Sequence, residues 1–336
     1  MKLTTCLSFT ILLLTLSCQN EKKPPHVTKN LLSEIHNVEK QIFVIDTSEV
    51  SLIKTRKGAK IFFLRDIIDI DSTQTLTLEL EEYYTLKDLI ANNVQTLTTD
   101  GELLESVAVL NIQFKADGKE VKPKDGEIIY TELPIKYAVD DGIYNGYYNE
   151  QNQMQWKLAD EQKIIFQCID TTFLKTYAVD KMLTKLIPID SLDYYERKCE
   201  EIERILERDR IKRNSFLIDV NLFLDNFNWI NVDKIVEPIG YINLELNIKN
   251  EDEYDYVNNY VMYKGLRSFI SYSNKNSIFY NDEIPIAEKT SMFTIAKKDD
   301  TFFSNLSDID MNTNKEFEIN LKKSSKDEIN NFIDEY

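Results

Sequence analysis

Residues 107–121, VAVLNIQFKADGKEV, predict two β-strands joined by a tight turn. Apolar side chains alternate along the first strand, which is the period of a strand with one buried face; they are Ala108, Leu110, Ile112 and Phe114. Asp117-Gly118 separates this strand from the one that contains Val121. A type I′ turn needs positive φ, which this dipeptide tolerates, so the stretch predicts an antiparallel β-hairpin.

The same signals continue on both sides of the hairpin. Strand alternation is clear in QTLTLEL at 74–80, and it returns in YINLELNIK at 241–249 and KEFEINL at 315–321. The chain has 8 glycines, and the four that follow an aspartate are Gly101, Gly118, Gly126 and Gly142. We therefore predict a mainly β fold with some α, in which a mixed segment joins two antiparallel β-sandwich-like domains.

Two helices are predicted within this β framework. The sequence DSLDYYERKCEEIERILERDRIKR predicts one long amphipathic helix over about 191–213, because its apolar residues recur at steps of three and four. Its opposite face is charged, which is typical of a solvated surface. Ser325 and Glu328 have the spacing of a capping box, so they predict a short helix that closes the last domain.

The first residues, MKLTTCLSFTILLLTLSC, have the features of a bacterial lipoprotein signal peptide. Lys2 precedes a short apolar stretch, and Leu16-Ser17-Cys18 is similar to a lipobox. We predict that residues 1–17 are removed and that Cys18 carries the lipid, which would be a durable membrane anchor. Gln19 after the cysteine favours the outer membrane. No acidic run follows it, which favours the periplasmic face over the cell surface.

Composition and pattern divide the rest of the chain into four parts. Residues 18–40 are polar and are predicted to be a lipid-anchored tether. Residues 41–137 are predicted to form a β domain, and 138–239 a mixed α/β middle segment that contains the long helix. Residues 240–336 are predicted to form a C-terminal β domain with the closing helix.

Composition excludes several classes of function. The formal net charge of −17 does not suit nucleic acid binding. Only 2 histidines are present, His26 and His36, and both lie in the predicted tether as solvated side chains. We therefore predict no catalytic residues, no metal and no cofactor. The aspartates of RDIIDIDS fit a polar turn better than a calcium site; they are Asp66, Asp69 and Asp71.

Two cysteines remain outside the predicted signal and anchor. Cys168 and Cys199 would lie in an oxidising compartment, which permits a disulfide worth about 3 kcal/mol in the chain-entropy model. The alternative is two separate buried thiols, and the place of Cys199 in the apolar stripe of the long helix favours it.

Aromatic residues supply the candidate binding groups. The stretch DGIYNGYYNEQNQMQW at 141–156 is predicted to be a turn that presents Tyr144, Tyr147 and Tyr148. Exposed aromatic rings stack on sugar faces or anchor a protein partner. The alternative is a hairpin whose tyrosines pack on their own sheet, and the general richness of the chain in tyrosine, at 18, favours it. Trp229, in FNWINVD, is predicted to be buried; if it is exposed instead, it is the best single anchor for a partner.

Five motifs in order are similar to those of one group of proteins: RKGAKIFF at 56–63, LTLELEEYYTLKDLI at 76–90, DGELLES at 100–106, FKADGKEVKPKDGEIIYTELPI at 114–135 and FNWINVD at 227–233. Together they resemble envelope lipoproteins of Bacteroidota that begin with a ZU5-like β domain. The resemblance implies that residues 41–137 are the ZU5-like domain of a β-rich, multidomain lipoprotein. It implies no reaction, and ZU5 domains elsewhere act in protein contacts.

These observations favour a non-enzymatic structural or protein-interaction component of the cell envelope, anchored to the outer membrane and bound to an envelope protein partner. The alternative is a glycan- or peptide-binding module that uses the tyrosine-rich turn at 144–148. A third hypothesis is a carboxylate-based hydrolase, which needs a cleft with two acids about 5–10 Å apart.

Overall fold

The computed structural model describes residues 29–45, 50–64, 67–71, 73–124, 129–137, 142–149, 153–159, 218–224, 227–272, 284–309 and 316–336. Within these ranges the chain is mainly β, with antiparallel sheets and few helices, as the alternating patterns predict. The predicted helix over about 191–213 lies outside the described residues, as do Cys18, Cys168 and Cys199. No helix within the described ranges is long and apolar enough to cross a membrane.

The first half of the structure is a sandwich of two antiparallel sheets. Its strands are β1 (Gln41–Val44), β2 (Val50–Lys54), β3 (Lys60–Leu64), β4 (Leu76–Tyr83), β5 (Leu103–Ala116), β6 (Lys119–Val121), β7 (Ile129–Tyr137), β8 (Gly142–Tyr148), β9 (Met154–Leu158), β10 (Ile218–Leu224) and β11 (Asn228–Val236). The larger sheet has seven strands in the order β1–β4–β5–β11–β8–β9, with β6 beside β5. The smaller sheet has the order β10–β7–β3–β2.

The core of this sandwich follows from strand alternation. Leu76, Leu78 and Leu80 of β4 are fully buried on one face, as their spacing predicts. They share a core with Ile53 of β2 and Ile61 of β3 in the smaller sheet. Full burial of each such side chain stabilises the fold by about 1.5–3 kcal/mol, so this layer holds the two sheets together.

The hairpin predicted at Asp117-Gly118 is confirmed. Strands β5 and β6 pair so that Ala116 faces Lys119 across the turn. The φ angles of Asp117 and Gly118 are +48° and +80°, which is the backbone that a type I′ turn requires.

The larger sheet continues across the boundary that the sequence predicts at residue 137. Strand β11 pairs with β5 on one side and with β8 on the other. The described residues of 138–239 form strands β8 to β11, which complete the two sheets of the first half. A local pattern does not show this, because β5 pairs with a strand that follows it much later in the chain.

The second half is built around a five-stranded antiparallel sheet. Its strands are β12 (Gly240–Ile242), β13 (Glu245–Ile248), β14 (Tyr256–Tyr263), β15 (Phe269–Tyr272), β16 (Ile284–Ile286), β17 (Thr290–Lys298), β18 (Thr301–Ile309), β19 (Glu316–Ile319) and β20 (Lys322–Ser324). The main sheet has the order β15–β14–β17–β18–β20. One of its faces packs on two small pairs, antiparallel β12–β16 and parallel β13–β19.

A third core joins the two halves. It lies between the larger sheet and the five-stranded sheet, and it includes helices α1 (Leu86–Ala91) and α2 (Lys326–Asp334). Tyr260 and Phe293 line it from the second half, with ring centroids 6.1 Å apart. The predicted closing helix is confirmed as α2, and Ser325 and Glu328 form its capping box.

The structure corrects the predicted tether at 18–40 over its described residues. Leu31 and Leu32 begin a short 3-10 helix, Leu31–Glu34, and are buried in the core between the halves. The Asn258 side chain accepts a 2.8 Å hydrogen bond from the Leu31 backbone N–H. Burial of these two adjacent leucines is favourable and helps to dock the otherwise polar stretch.

Candidate functional site

The second face of the larger sheet is only half covered. Near the second half of the molecule, Val109, Tyr144 and Trp156 are buried in the core between the halves. Farther along the strands the same face is at least partly exposed, and we call this part the open face. Its side chains come from five strands: Ile42, Val44, Glu79, Glu81, Gln113, Lys115, Tyr148 and Trp229.

One row of residues crosses the sheet at the inner border of the open face. Asn111 of β5 faces Glu81 on β4 and Trp229 on β11. The pairing of β11 with β8 then brings Gly146 next to Trp229, and Gly146 faces Trp156 on β9. Directly opposed side chains in such a row are within contact distance, so the row is continuous from Glu81 to Trp156.

Gly146 lets the two tryptophans of this row lie close together. A Cβ at this position would lie 2.5 Å from Trp229 Cβ, 2.8 Å from Trp156 Cζ3 and 2.9 Å from Met154 Sδ. No side chain fits there without moving these groups. Gly146 is therefore needed because a side chain would not fit between these groups. Its backbone φ is one that other residues can also adopt.

Two tyrosines enclose the Trp229 ring. The Tyr148 ring lies edge-on to it with centroids 6.3 Å apart, and the Tyr83 ring lies at 5.5 Å. Tyr148 is 50% exposed, Trp229 is partly exposed and Tyr83 is buried. The prediction that Trp229 is buried is therefore only partly correct. No pattern in the sequence indicates that Tyr83 contacts Trp229.

Glu81 is the acidic group of this aromatic cluster. Its Oε2 accepts a 2.8 Å hydrogen bond from Asn111 Nδ2. Burial raises the pKa of the Tyr148 hydroxyl, and the nearby Glu81 charge raises it further. Burial likewise raises the pKa of Tyr83, and the Glu81 charge and its hydrogen bond with Tyr83 add to that effect. Glu81 is thus close to both tyrosines.

The structure separates the three predicted tyrosines. Residues 142–148 form strand β8, which pairs with β9 in a hairpin as the alternative interpretation predicts, so successive side chains point to opposite faces. Tyr144 is 3% exposed and lies in the core between the halves, where it cannot contact a ligand. Tyr147 is half-exposed on the opposite face from Tyr148. The exposed platform is therefore wrong, and only Tyr148 joins Trp229.

The predicted polar turn after β3 is present in its described part. Asp71 Oδ1 accepts hydrogen bonds of 2.9 Å from both the backbone N and the Oγ1 of Thr73. These hydrogen bonds lower the pKa of Asp71. Asp66 lies outside the described residues. Among the residues that the structure describes, no group of three or more His, Cys, Asp or Glu side chains could hold a metal ion.

A buried polar cluster lies at one end of the sandwich core. Glu82 is 0% exposed, and its Oε1 accepts hydrogen bonds from Thr55 Oγ1 at 2.9 Å and from the Tyr84 hydroxyl at 2.8 Å. Its Oε2 accepts from Gln41 Nε2 at 2.7 Å. Gln41 Oε1 in turn accepts from the Arg56 backbone N–H at 2.7 Å. Glu82 therefore links β1, β4 and the turn between β2 and β3.

Asp88 of α1 extends this cluster toward the first described residues. Its Oδ1 lies 2.9 Å from His36 Nε2, and its Oδ2 accepts from Lys57 Nζ at 2.9 Å. Lys57 also donates to the Glu82 carbonyl oxygen at 2.9 Å. His36 is thus bound to Asp88 and partly buried, which corrects its prediction as a solvated side chain. These contacts join the segment that carries His36, and the turn that carries Lys57, to α1.

The charge of Asp88 should make the free energy of unfolding depend on pH in the acid range. Burial raises the pKa of Asp88, but hydrogen bonds from His36 and Lys57 lower it more, so the net pKa is below its usual value. The stabilisation is therefore present above about pH 4 and is lost as the pH falls through the folded-state pKa. We expect Asp88→Asn to lower the free energy of unfolding at neutral pH, and this difference from the unmodified protein to shrink below about pH 4. Urea unfolding from pH 7 to pH 3 measures it.

The exposed Asp334, which pairs with Lys87 at 2.9 Å, supplies the control. Asp334→Asn should change the free energy of unfolding little at any pH, because exposed ion pairs contribute little. A difference for Asp88→Asn that stays constant down to pH 3 would contradict the role given to its charge.

Comparison of the chain with protein-family models, with curated proteins and with solved structures finds no match. The resemblance to envelope lipoproteins with a ZU5-like domain therefore stays a prediction.

Proposed function

We propose that this protein is a non-enzymatic lipoprotein of the bacterial cell envelope that binds an envelope protein through its open face. In this proposal the lipid on Cys18 anchors it to the outer membrane, on the periplasmic side. The observation that supports a binding role is the exposure of apolar side chains on the open face: Ile42 is 62% exposed and Val44 is 73% exposed. Contiguous exposed apolar groups on a folded protein are typical of interaction surfaces.

The edge of the sheet supports the same proposal. Strand β1 is the terminal strand of the larger sheet, and the Ile45 N–H donates to the Leu76 carbonyl oxygen of β4 at 2.8 Å. Because antiparallel pairing alternates, the backbone groups of Ile42 and Val44 point away from β4. No described strand pairs with this side of β1. A partner could therefore contact both the backbone edge and the two apolar side chains.

Site-specific photo-crosslinking in native membranes tests this proposal. A benzophenone amino acid at Val44 should give one stoichiometric adduct with an outer-membrane protein. The same probe at Asp299, an exposed turn residue between β17 and β18, is the control and should not. Equal adducts from both positions, or no adduct from either, would contradict binding through the open face.

Labelling with a radioactive fatty acid tests the anchor separately. We expect the chain with Cys18 present to incorporate the label and to fractionate with the outer membrane. Cys18→Ser should incorporate none. Label in the Cys18→Ser chain would place the lipid elsewhere and contradict the proposed anchor.

A second candidate function is a glycan- or peptide-binding module. The pairing of Tyr148 with Trp229 on the open face favours it, because two partly exposed rings at right angles form a shallow aromatic corner. This corner replaces the tyrosine-rich turn as the place where such a ligand would bind. Its nearer ring, Trp229, lies three strand spacings from β1, or about 14 Å, so a single partner can contact both places.

A further inference from the structure

The groups that meet at the Trp229 corner are all electron-rich. Glu81 carries a carboxylate, and the rings of Tyr148 and Trp229 present the negative faces of their π-systems. Asn111, which is 7% exposed and lies between Glu81 and Trp229, has a buried Oδ1 with no hydrogen-bond partner. A ligand that suits this corner must supply hydrogen-bond donors or positive charge.

Comparison with Glu79 of the same strand shows that Glu81 is unusual. Glu79, on the same face, is paired with Lys115 at 2.7 Å and with Lys40 at 3.1 Å. Glu81 forms no ion pair with any lysine or arginine among the described residues. Its recorded contacts are the neutral groups of Asn111 and Tyr83. A carboxylate on a partly exposed surface with aromatic neighbours and no counter-charge is a ready site for a cation.

We propose that this corner binds a cationic side chain, an arginine or a lysine, of the protein partner. The inference rests on the proposed protein-binding function and names the chemistry that the partner presents. The cation would lie against the faces of Trp229 and Tyr148, where cation–π attraction is strongest, and close to the Glu81 carboxylate. A guanidinium fits best, because its planar fork can stack on a ring and donate to a carboxylate together.

Charge complementarity argues for a cation over the other ligands that aromatic rings accept. The protein has a formal net charge of −17, which repels phosphate and uronic acid groups at long range. A neutral sugar could stack on the same rings, but it would leave the Glu81 charge without a partner. A basic segment satisfies both the rings and the carboxylate.

Titration of the full chain in mild detergent with short capped peptides tests the proposal. The probes are Gly-Arg-Gly and Gly-citrulline-Gly, which have nearly the same shape but differ in charge. Ligand-observed NMR and tryptophan fluorescence report binding. We expect the arginine peptide to bind about tenfold more tightly than the citrulline peptide, and its affinity to fall as salt is raised.

Three variants locate the effect. Glu81→Gln and Tyr148→Ala should each weaken binding of the arginine peptide about fivefold to tenfold. Tyr148 is half-exposed, so its removal should leave the fold intact. Glu132→Gln is the control, because Glu132 lies on β7 in the smaller sheet, away from the open face, and already pairs with Lys60 at 2.6 Å. It should leave peptide affinity unchanged.

Several results would overturn the inference. Equal binding of the arginine and citrulline peptides, or equal losses for Glu81→Gln and Glu132→Gln, would show that no cation site exists at Glu81. Binding of neutral chito-oligosaccharides in place of both peptides would assign the corner to glycans. These probes need no partner, so their failure differs from failure of the crosslinking at Val44, which alone tests the proposed partner.

Discussion

Replacing Trp156 by alanine should lower the free energy of unfolding by about 3–5 kcal/mol, the usual cost of deleting a buried large aromatic side chain. Trp156 is wholly buried in the core that joins the two halves. Its Nε1 donates to the Gln95 carbonyl oxygen at 2.6 Å. The substitution therefore creates a cavity and also leaves that carbonyl without its donor, so both costs add.

Trp229→Ala is the matched control for this substitution. Trp229 belongs to the same cross-strand row, on the other side of Gly146, but it is only partly buried. Its removal should lower the free energy of unfolding by about 1–2 kcal/mol. Trp229 buries less apolar surface than Trp156, and its removal leaves no enclosed cavity. Urea unfolding of the unmodified protein and both variants measures the two losses.

Fluorescence distinguishes the variants directly, because the chain has 2 tryptophans. Trp156→Ala leaves only the partly exposed ring and should shift native emission to longer wavelength. Trp229→Ala leaves only the buried ring and should shift it to shorter wavelength. Similar losses of stability for the two variants would mean that the core between the halves contributes less than its burial indicates.

Local patterns predicted the parts of the fold that depend on neighbouring residues. The alternation of Leu76, Leu78 and Leu80 and the turn at Asp117-Gly118 are both present, because a strand period and a turn conformation are properties of short segments. The capping box of α2 is a local contact of the same kind. The pairing of β5 with β11 is not local, and for this reason the predicted boundary at 137 cut through one sheet.

The candidate site was predicted less well for two physical reasons. Glycine and asparagine between the tyrosines of β8 favoured a turn, and a strand instead sends Tyr147 and Tyr148 to opposite faces. Glu81, Asn111 and Trp229 meet only through the register of three strands, which no local signal contains. Trp229 is partly exposed, so its role as an anchor for a partner stays a prediction.

Replacing Glu82 by alanine should lower the free energy of unfolding by about 3–5 kcal/mol, which is the cost of breaking a buried, fully hydrogen-bonded charged or polar cluster. Three donors would lose their acceptor at once, at Gln41, Thr55 and Tyr84. Gln41 and Thr55 are themselves buried, so water cannot readily replace the lost carboxylate.

Glu81→Ala provides the control, because Glu81 is the adjacent residue on the opposite face and is partly exposed. It should cost about 2 kcal/mol or less, since its hydrogen bonds with Asn111 and Tyr83 are lost at a carboxylate that is partly exposed to water. Glu82→Gln should fall between the two alanine variants. Its remaining oxygen can still accept from Thr55 and Tyr84, but its amide N–H₂ then faces the Gln41 donor.

Equal losses for Glu81→Ala and Glu82→Ala in urea unfolding would contradict this account. The free energy of unfolding would then depend equally on two adjacent residues of one strand, although they lie on opposite faces. A large loss for Glu82→Ala alone would show that the carboxylate links β1, the β2–β3 turn and β4, and that the sandwich end depends on it.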